Sequence, residues 1–249
     1  MPLIRALSID IGWKHLAYAM LEVGCENEDK QAKDEEDFSI KAWNCESLLT
    51  STINVNDTSL DELIRLTVPS IAKIVDFWKK WPSCEDSKPT IAFLEQQPLG
   101  MQARNVKSKT LSHVIQGLLI SSGIPVVFIS PQKKLKYMEQ SGTYSDNKKF
   151  AVEETLRLLN SIDPNESSNV WLQHFNSFKK KDDLADSFLQ GLYASKDQIL
   201  LIIKEKKTKR KSGAEDLVDL DAENPKKKHK KKVKEKSRKA AEASVALDL

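Results

Sequence analysis

The sequence has 249 residues, which is enough for one domain with a buried core followed by a tail. Hydrophobic residues make up 40% of it and charged residues 30%, and no apolar run approaches the roughly 20 residues that span a bilayer, so a membrane protein is excluded. The three cysteines are widely separated and the four histidines lack metal-ligand spacing, which excludes a disulfide framework and a zinc site.

The formal net charge of +3 is unevenly distributed along the chain. Residues 204–249 contain 16 Lys and Arg against 9 Asp and Glu, a balance of +7, which leaves −4 for residues 1–203. This C-terminal segment is Lys-rich and of low complexity, and such a composition cannot bury a core. It includes PKKKHKKK, which is typical of a nuclear import signal or a nonspecific DNA tether. We therefore expect a folded domain over residues 1–203 and a disordered basic tail over 204–249.

The N-terminal part of the domain is rich in strand patterns. Residues 3–10 are almost entirely apolar and predict a short strand, and residues 15–23 and 39–44 predict two more. The acidic segment 25–37 lacks periodic apolar residues, so we expect a flexible hairpin loop there. Three strands in succession indicate antiparallel pairing at the start of the domain.

Helices and strands alternate after this region. Apolar residues at helical spacing predict a helix over 59–81, with a bend or break at Pro69. Buried strands are predicted at 90–94 and 125–129, helices at 105–121, 148–160 and 182–203, and the segment 161–177 is ambiguous. This order predicts an α/β fold in which a mixed sheet is flanked by helices.

Carboxylates stand at the ends of two predicted strands and at the start of the last helix. Asp10 ends the first strand, and Glu95 directly follows the apolar residues of the fourth. Asp183 and Asp186 are three residues apart, so they project from one helix face. Carboxylates in apolar surroundings are costly unless they are compensated, and a shared divalent cation compensates several at once. Two such cations can hydrolyse a phosphodiester, so the pattern predicts a two-metal nuclease site.

Each acid also has a simpler explanation when it is taken alone. Asp182 or Asp183 can act as a helix N-cap, Glu95 can simply end its strand, and Asp10 can begin a turn. The four positions together, in this order of elements, favour the catalytic interpretation. Asp182 leaves one alternative open, because it forms an i, i+4 pair with Asp186 that shares a helix face and would replace Asp183 as a metal ligand.

Three motifs around these acids resemble those of a known family. They are Asp-Ile-Gly at 10–12, Leu-Glu-Gln-Gln at 94–97 and Lys-Lys-Asp-Asp-Leu-Ala-Asp-Ser-Phe-Leu-Gln at 180–190. In this order they resemble the signature of RuvC-like Holliday-junction resolvases, and in particular the poxvirus and fungal mitochondrial branch. The first motif is weak alone, since actin-like ATPases and sugar kinases share it, whereas the third is specific. The resemblance extends over residues 1–203.

The resemblance implies an RNase H-like domain with a five-stranded mixed sheet. It also implies a homodimer that binds a four-way DNA junction in recombination and repair, with one Mg²⁺-dependent nick made by each subunit. Each site would take two Mg²⁺, for which Mn²⁺ would substitute. Asp10 would bridge both ions, Glu95 would bind one, and the final helix would supply Asp183 and Asp186.

The same resemblance implies DNA contacts by two pairs of lysines. Lys180 and Lys181 precede the acids of the final helix, and Lys148 and Lys149 stand at the predicted start of another helix. Exposed lysines before a helix are also common without any function. The basic tail and the family suggest an intracellular protein of the nucleus or a viral replication site, rather than the mitochondrion, for which no presequence is recognisable.

Four other functions remain to be weighed against junction resolution. An actin-like or sugar-kinase-like ATPase needs a second D-x-G, and none follows residue 12. A non-catalytic nucleic-acid-binding protein of this fold would have lost at least one acid, yet all four are present. A nuclease for RNA–DNA hybrids, or one for other branched DNA, would use the same fold and metals, so the sequence does not separate either from a resolvase.

Overall fold

The computed structural model describes residues 3–24, 38–80, 90–97, 106–130, 143–162 and 169–218. Within these residues the chain forms one five-stranded sheet. Its strands are β1 (Leu3–Asp10), β2 (His15–Gly24), β3 (Phe38–Ser47), β4 (Thr90–Glu95) and β5 (Val126–Ile129), in the spatial order β3-β2-β1-β4-β5. The pairs β1–β2 and β2–β3 are antiparallel, and β1–β4 and β4–β5 are parallel. The mixed sheet of five strands is thus confirmed.

Five helices flank this sheet in the described part of the chain. They are α1 (Leu60–Lys79), α2 (Val106–Ser121), α3 (Tyr144–Ile162), α4 (Val170–Ser177) and α5 (Lys181–Val218). Among the described residues, no helix has the length and apolar character needed to cross a membrane.

Two helices differ from the sequence prediction: one is continuous where a break was considered, and the other begins earlier. Helix α1 runs unbroken through Pro69, so of the predicted bend or break the break is wrong. Pro69 is exposed, so the carbonyl that loses its helical partner there can bind water. Helix α3 begins at Tyr144, four residues before the predicted start, because Thr143 and Asp146 form reciprocal hydrogen bonds that cap it.

The C-terminal helices also differ from the sequence prediction, in number and in length. The segment that was ambiguous in sequence contains α4, whose N-cap is Asn169. Helix α5 does not end at Ile203 but continues to Val218, into the segment predicted to be a tail. Backbone contacts divide the chain into two units, residues 1–203 and 204–249. The assignment of residues 1–203 to a nuclease domain and of 204–249 to a low-complexity tail stays a prediction, and the acidic segment 25–37 lies outside the described residues.

Helices cover both faces of the sheet, which explains why the central strand is apolar on both sides. Side chains of β1 alternate between two clusters: Leu7 and Ile9 pack with residues of α1 and α2, and Ile4 and Ala6 pack with residues of α3, α4 and α5. Ser8, which is fully buried, belongs by this alternation to the α5 face. The α5 face is therefore the one that carries Asp10, two residues further along the strand.

Candidate active site

Asp10 and Glu95 are brought together by the parallel pairing of β1 and β4. Ile9 is in register with Leu94, so the next residues, Asp10 and Glu95, end two adjacent strands at the same edge of the sheet. Neighbouring strands lie about 4.8 Å apart. Phe93 packs in the cluster that contains α5, and strand alternation puts Glu95 on that same face. Both carboxylates are half-buried.

Helix α5 is fixed against the two strands by a buried glutamine. The amide nitrogen of Gln190 lies 3.2 Å from Ser8 Oγ, 3.3 Å from the Ile9 carbonyl oxygen and 3.2 Å from the Phe93 carbonyl oxygen. It therefore bridges β1 and β4 near their carboxyl ends. The next residue, Gly191, allows the close approach, because a Cβ atom there would lie 2.8 Å from Ser8 Cβ.

The position of Gln190 determines how far along the helix axis the acids of α5 lie relative to the end of β1. Asp186 precedes it by one turn, or about 6 Å along the helix axis, and Asp183 precedes it by about 10 Å. Asp10 lies two residues beyond Ser8, which is about 6.6 Å along the strand. With the start of α5 directed towards the carboxyl edge, Asp186 stands near the level of Asp10, and Asp183 lies one turn further out.

Cys45 on β3 lies within the electrostatic influence of acids on both β1 and α5. Burial raises the pKa of Cys45 to about 11, and the negative charge of Asp183 adds to the increase. Asp10 contributes in the same direction. Asp10 and Cys45 both pair with Ala17 of β2, from opposite sides. Asp183 at the start of α5 and Asp10 at the end of β1 therefore approach the same thiol.

A β-bulge in β3 turns Trp43 towards the start of α5. The register moves from Met20–Ala42 to Leu21–Ile40, which leaves one extra residue, Lys41, in β3. The bulge reverses the alternation, so Trp43 faces the same cluster as Ile40.

Trp43 then fixes the first turns of α5 to β3. Its indole nitrogen donates a buried hydrogen bond of 3.0 Å to the Leu184 carbonyl oxygen. Its ring stacks on Phe175 of α4, with centroids 5.2 Å apart. The bulged strand is thus bonded directly to the segment that carries the helix acids.

Two of the predicted DNA-binding lysines pair with the helix acids. Lys148 of α3 donates to Asp182, and Lys180 donates to Asp183 over 2.6 Å. Burial alone would raise the pKa of Asp182, but the hydrogen bond and charge of Lys148 outweigh it and lower that pKa. For Lys180, burial opposes the charged form, and the bond to Asp183 prevails and raises the pKa. Two of the acids at the start of α5 are therefore paired with positively charged side chains.

The other two predicted DNA-binding lysines lie differently. Lys149 is exposed on α3. Lys181 donates to Asn176 over 2.7 Å and lies over the Phe175 ring at 5.6 Å, so it joins α5 to α4 rather than turning to the acids. Another lysine, Lys107 of α2, donates to three backbone carbonyls of the segment between β3 and α1 and has a structural role.

The acids do not form a ready-made ion cage. Among the residues that the structure describes, which include Asp10, Glu95, Asp182, Asp183 and Asp186, no three His, Cys, Asp or Glu side chains are close enough to hold one metal ion. The fold brings the acids to one edge and gives two of them lysine partners.

The residues that build this edge were not singled out from the sequence. Gln190 and Gly191 decide where α5 lies on the sheet, and Trp43 decides where its first turn lies. A signal for Gln190 was available: it is a polar residue in an apolar helix, seven positions after Asp183 and four after Asp186, and so on their face.

The strand order β3-β2-β1-β4-β5 and the flanking helices are those expected of an RNase H-like fold. The family profile described as "Poxvirus A22 protein" matches residues 5–197, and the chain belongs to this family of Holliday-junction resolvases. The chain is accordingly a DNA-binding endonuclease of recombination and repair whose function is the resolution of Holliday junctions.

Solved structures with a similar fold include two resolvases. Fowlpox virus resolvase bound to Holliday junction DNA is 18% identical, with a TM-score of 0.49, and the match covers 78% of this chain and 98% of that one. RuvC from Thermus thermophilus is 11% identical, with a TM-score of 0.47 and coverage of 79% and 96%. The T. thermophilus RuvC complex with its junction substrate is 13% identical, with a TM-score of 0.45 and coverage of 77% and 91%. No curated protein matches the chain at a significant level.

Proposed function

We propose that the chain resolves four-way junctions by paired, Mg²⁺-dependent nicks, one made by each subunit of a homodimer. The observation that supports this most directly is the attachment of α5 through Gln190 to β1 and β4, beside the edge where both strands end in a carboxylate. Two acids on the strands and two on the helix would then face the phosphodiester that is cut.

The donor set at this edge fits Mg²⁺, which is a hard cation and prefers oxygen ligands. Asp10, Glu95, Asp183 and Asp186 would hold two ions, and Mn²⁺ would substitute because it accepts the same oxygen donors. When bound, the ions supply charge neutralisation and water activation for phosphodiester hydrolysis. The half-buried setting of all four carboxylates strengthens their attraction for cations.

We assign Asp183, rather than Asp182, to the metal-binding set. Asp183 shares the electrostatic environment of Asp10 at Cys45, whereas Asp182 reaches across to Lys148 on α3. The role of Asp182 is then to position Lys148. A carboxylate that already bonds a lysine from another helix keeps that ammonium close to the acids without occupying the ion-binding edge.

Lys148 and Lys180 would bind the phosphate that is cut. Each is within reach of the acid edge, and each side chain is partly exposed, by 32% and 57%. A phosphate that enters the site offers oxygens that compete with the carboxylates for these ammonium groups. Lys149 and Lys181 would contact phosphates further along the strand, since neither bonds an acid of the edge in the contacts described above.

Dimerisation follows from the symmetry of the substrate. A four-way junction is resolved cleanly only when two strands are cut at equivalent positions. A two-fold homodimer presents two identical sites at a fixed separation, which meets this requirement.

The basic segment beyond Ile203 would add loose affinity for DNA. Its balance of +7 favours phosphate contacts, which release counterions. Membership in a poxvirus family supports action at a viral replication site inside the infected cell. The motif PKKKHKKK would also suit nuclear import.

Cleavage of three labelled substrates tests the proposal: a four-way junction, a linear duplex of the same sequence and an RNA–DNA hybrid. We expect rapid paired nicking of the junction in Mg²⁺, and loss of cleavage with retained junction binding in Asp10→Asn. Preferred cutting of the hybrid would assign the chain to the other nuclease class. Full activity of Asp10→Asn would remove this residue from the site.

A comparison of Asp182→Asn with Asp183→Asn tests the assignment of the helix acids. We expect Asp183→Asn to abolish cleavage and to weaken Mg²⁺ binding measured by titration calorimetry. Asp182→Asn should keep Mg²⁺ binding and lose activity only to the extent that Lys148→Ala does. The reversed order of severity would show that the i, i+4 pair binds the ions.

A further inference from the structure

The two ion pairs at the start of α5 differ in their relation to the proposed metal-binding acids. Lys180 donates a 2.6 Å hydrogen bond to Asp183, which belongs to the proposed metal-binding set. Lys148 donates to Asp182, which lies outside that set. Of these two lysines, therefore, only Lys180 bonds an oxygen that a cation would also use.

The Lys180–Asp183 pair combines a sheltered acid with an accessible base. The Asp183 side chain is 17% exposed, whereas the Lys180 side chain is 57% exposed, so the ammonium reaches the carboxylate from the solvent side. Lys180 stands just before the first residue of α5, Lys181, and three residues before Asp183. A rotation of its own side chain is therefore sufficient to separate Lys180 from Asp183, and the packing of the helix is not disturbed.

The Lys180 ammonium and a divalent cation compete for Asp183. Both carry positive charge, and both take a carboxylate oxygen as their partner. Asp183 Oδ2 accepts the hydrogen bond from Lys180, so this oxygen is less available as a metal ligand. The charge of Lys180 also repels an approaching cation. In this position Lys180 therefore lowers the affinity of the acids for metal ions.

A DNA phosphate competes for the other member of the pair. Phosphate oxygens accept charge-assisted hydrogen bonds from an ammonium group, as a carboxylate does. The start of a helix favours an anion and disfavours a cation, so a phosphate is more stable beside the first turn of α5 than the Lys180 ammonium is there alone. A phosphate that binds at this end of α5 can therefore draw Lys180 away from Asp183.

We propose that Lys180 couples DNA binding to metal binding: it bonds Asp183 until a DNA phosphate takes its ammonium, and Asp183 then becomes available to a cation. The inference rests on the proposed function, because it takes Asp183 as a metal ligand. Such a coupling is reciprocal, so DNA raises the affinity for the cation by the factor by which the cation raises the affinity for DNA. The metal site is then completed mainly on bound DNA.

Titration calorimetry of the full-length protein with Ca²⁺ tests the coupling. Ca²⁺ takes carboxylate oxygens as ligands, and a denaturing gel shows whether the DNA stays intact during the titration. Wild type and Lys180→Ala are titrated without DNA and with a saturating four-way junction. Without DNA, Lys180→Ala should bind Ca²⁺ about three- to fivefold more tightly than wild type, as expected for the loss of a partly exposed ion pair. The junction should raise the Ca²⁺ affinity of Lys180→Ala less than that of wild type, by the same factor.

Two control variants separate this competition from a general loss of positive charge. Lys148→Ala removes an equal charge beside the acids but leaves Lys180 on Asp183, so its Ca²⁺ affinity without DNA should change by less than about twofold. Lys73→Ala removes an exposed lysine of α1 and should match wild type in every titration. Thermal unfolding checks that each protein is folded, and Lys180→Gln replaces Lys180→Ala if the alanine variant is unstable.

Fluorescence anisotropy of a labelled junction, in EDTA and in Ca²⁺, measures the same coupling from the DNA side. Equal gains in Ca²⁺ affinity for Lys148→Ala and Lys180→Ala would overturn the inference, because charge alone would explain them. A junction effect as large in Lys180→Ala as in wild type would also overturn it. A larger gain in Lys148→Ala would place the competition at Asp182 instead. Absence of junction cleavage by wild type in Mg²⁺ would refute the proposed function, whereas the measured affinities would still decide the coupling.

Discussion

Gly191 lies where α5 crosses the central strand, and replacing it with alanine perturbs the site without touching any acid. The new Cβ would lie 2.8 Å from Ser8 Cβ and 3.0 Å from Leu21 Cδ1. Contacts between carbon atoms are optimal at about 3.5–4.0 Å. Ser8 belongs to the middle of the sheet and cannot retreat, so the helix must move away by several tenths of an ångström.

The expected magnitude follows from two opposing effects. Alanine favours a helix over glycine by about 1 kcal/mol. Overpacking a buried contact costs about 1–3 kcal/mol, so the net loss of stability should be about 0–2 kcal/mol. Activity should suffer more. The shift is carried along α5 to Asp186 and Asp183. Since a displacement of about 1 Å in a catalytic group can lower the rate by about 100-fold, a shift of several tenths of an ångström should lower it by roughly 4- to 10-fold.

Gly117→Ala is the matched control for this substitution. Gly117 is also helical, but among the described residues nothing lies within 4 Å of the Cβ position there, so alanine should stabilise the protein by about 1 kcal/mol. Thermal unfolding and single-turnover junction cleavage measure both effects. If Gly191→Ala raised the melting temperature as Gly117→Ala does and cut junctions at the wild-type rate, the close contact of α5 with β1 would not control the site.

Three further outcomes are expected. Trp43→Phe should cost about 2 kcal/mol in chemical denaturation, because it removes the hydrogen bond to the Leu184 carbonyl and leaves a small void; an unchanged free energy of unfolding would contradict this. The hydrogen bond from Arg157 lowers the pKa of Glu154 despite its burial, so this interaction adds stability above the normal carboxyl pKa and loses it as pH falls through the lowered value. Glu154→Gln should therefore lower the melting temperature near pH 7, and this difference should shrink as the pH is lowered stepwise into the acid range. Deleting 204–249 should reduce nonspecific duplex affinity and its dependence on salt, measured by fluorescence anisotropy, whereas equal salt slopes for both proteins would show that this segment does not contact DNA.

Local patterns of the sequence were sufficient for the elements that carry the acids. The strand that ends in Asp10, the strand that ends in Glu95 and the start of the helix near Asp183 were all predicted close to their observed positions, whereas the end of that helix was not. Strand alternation and helical spacing are properties of neighbouring residues, so they can be read without knowledge of the rest of the fold. The start of α3 was missed because its cap depends on Thr143 and Asp146, which precede the apolar residues of that helix.

Tertiary structure decided how these elements meet. The sequence does not reveal that Gln190 bonds two strands at once, that Gly191 lets the helix touch β1, or that a bulge turns Trp43 towards α5. It also does not separate Asp182 from Asp183, since adjacent residues on a helix differ by only about 100° in direction. Our proposal that Asp183 binds the metal rests on the contact of Asp182 with Lys148 on α3, which depends on which helix packs beside α5. The kinds of residue and their order are local information, whereas the partner of each side chain depends on packing between segments that are distant in the chain.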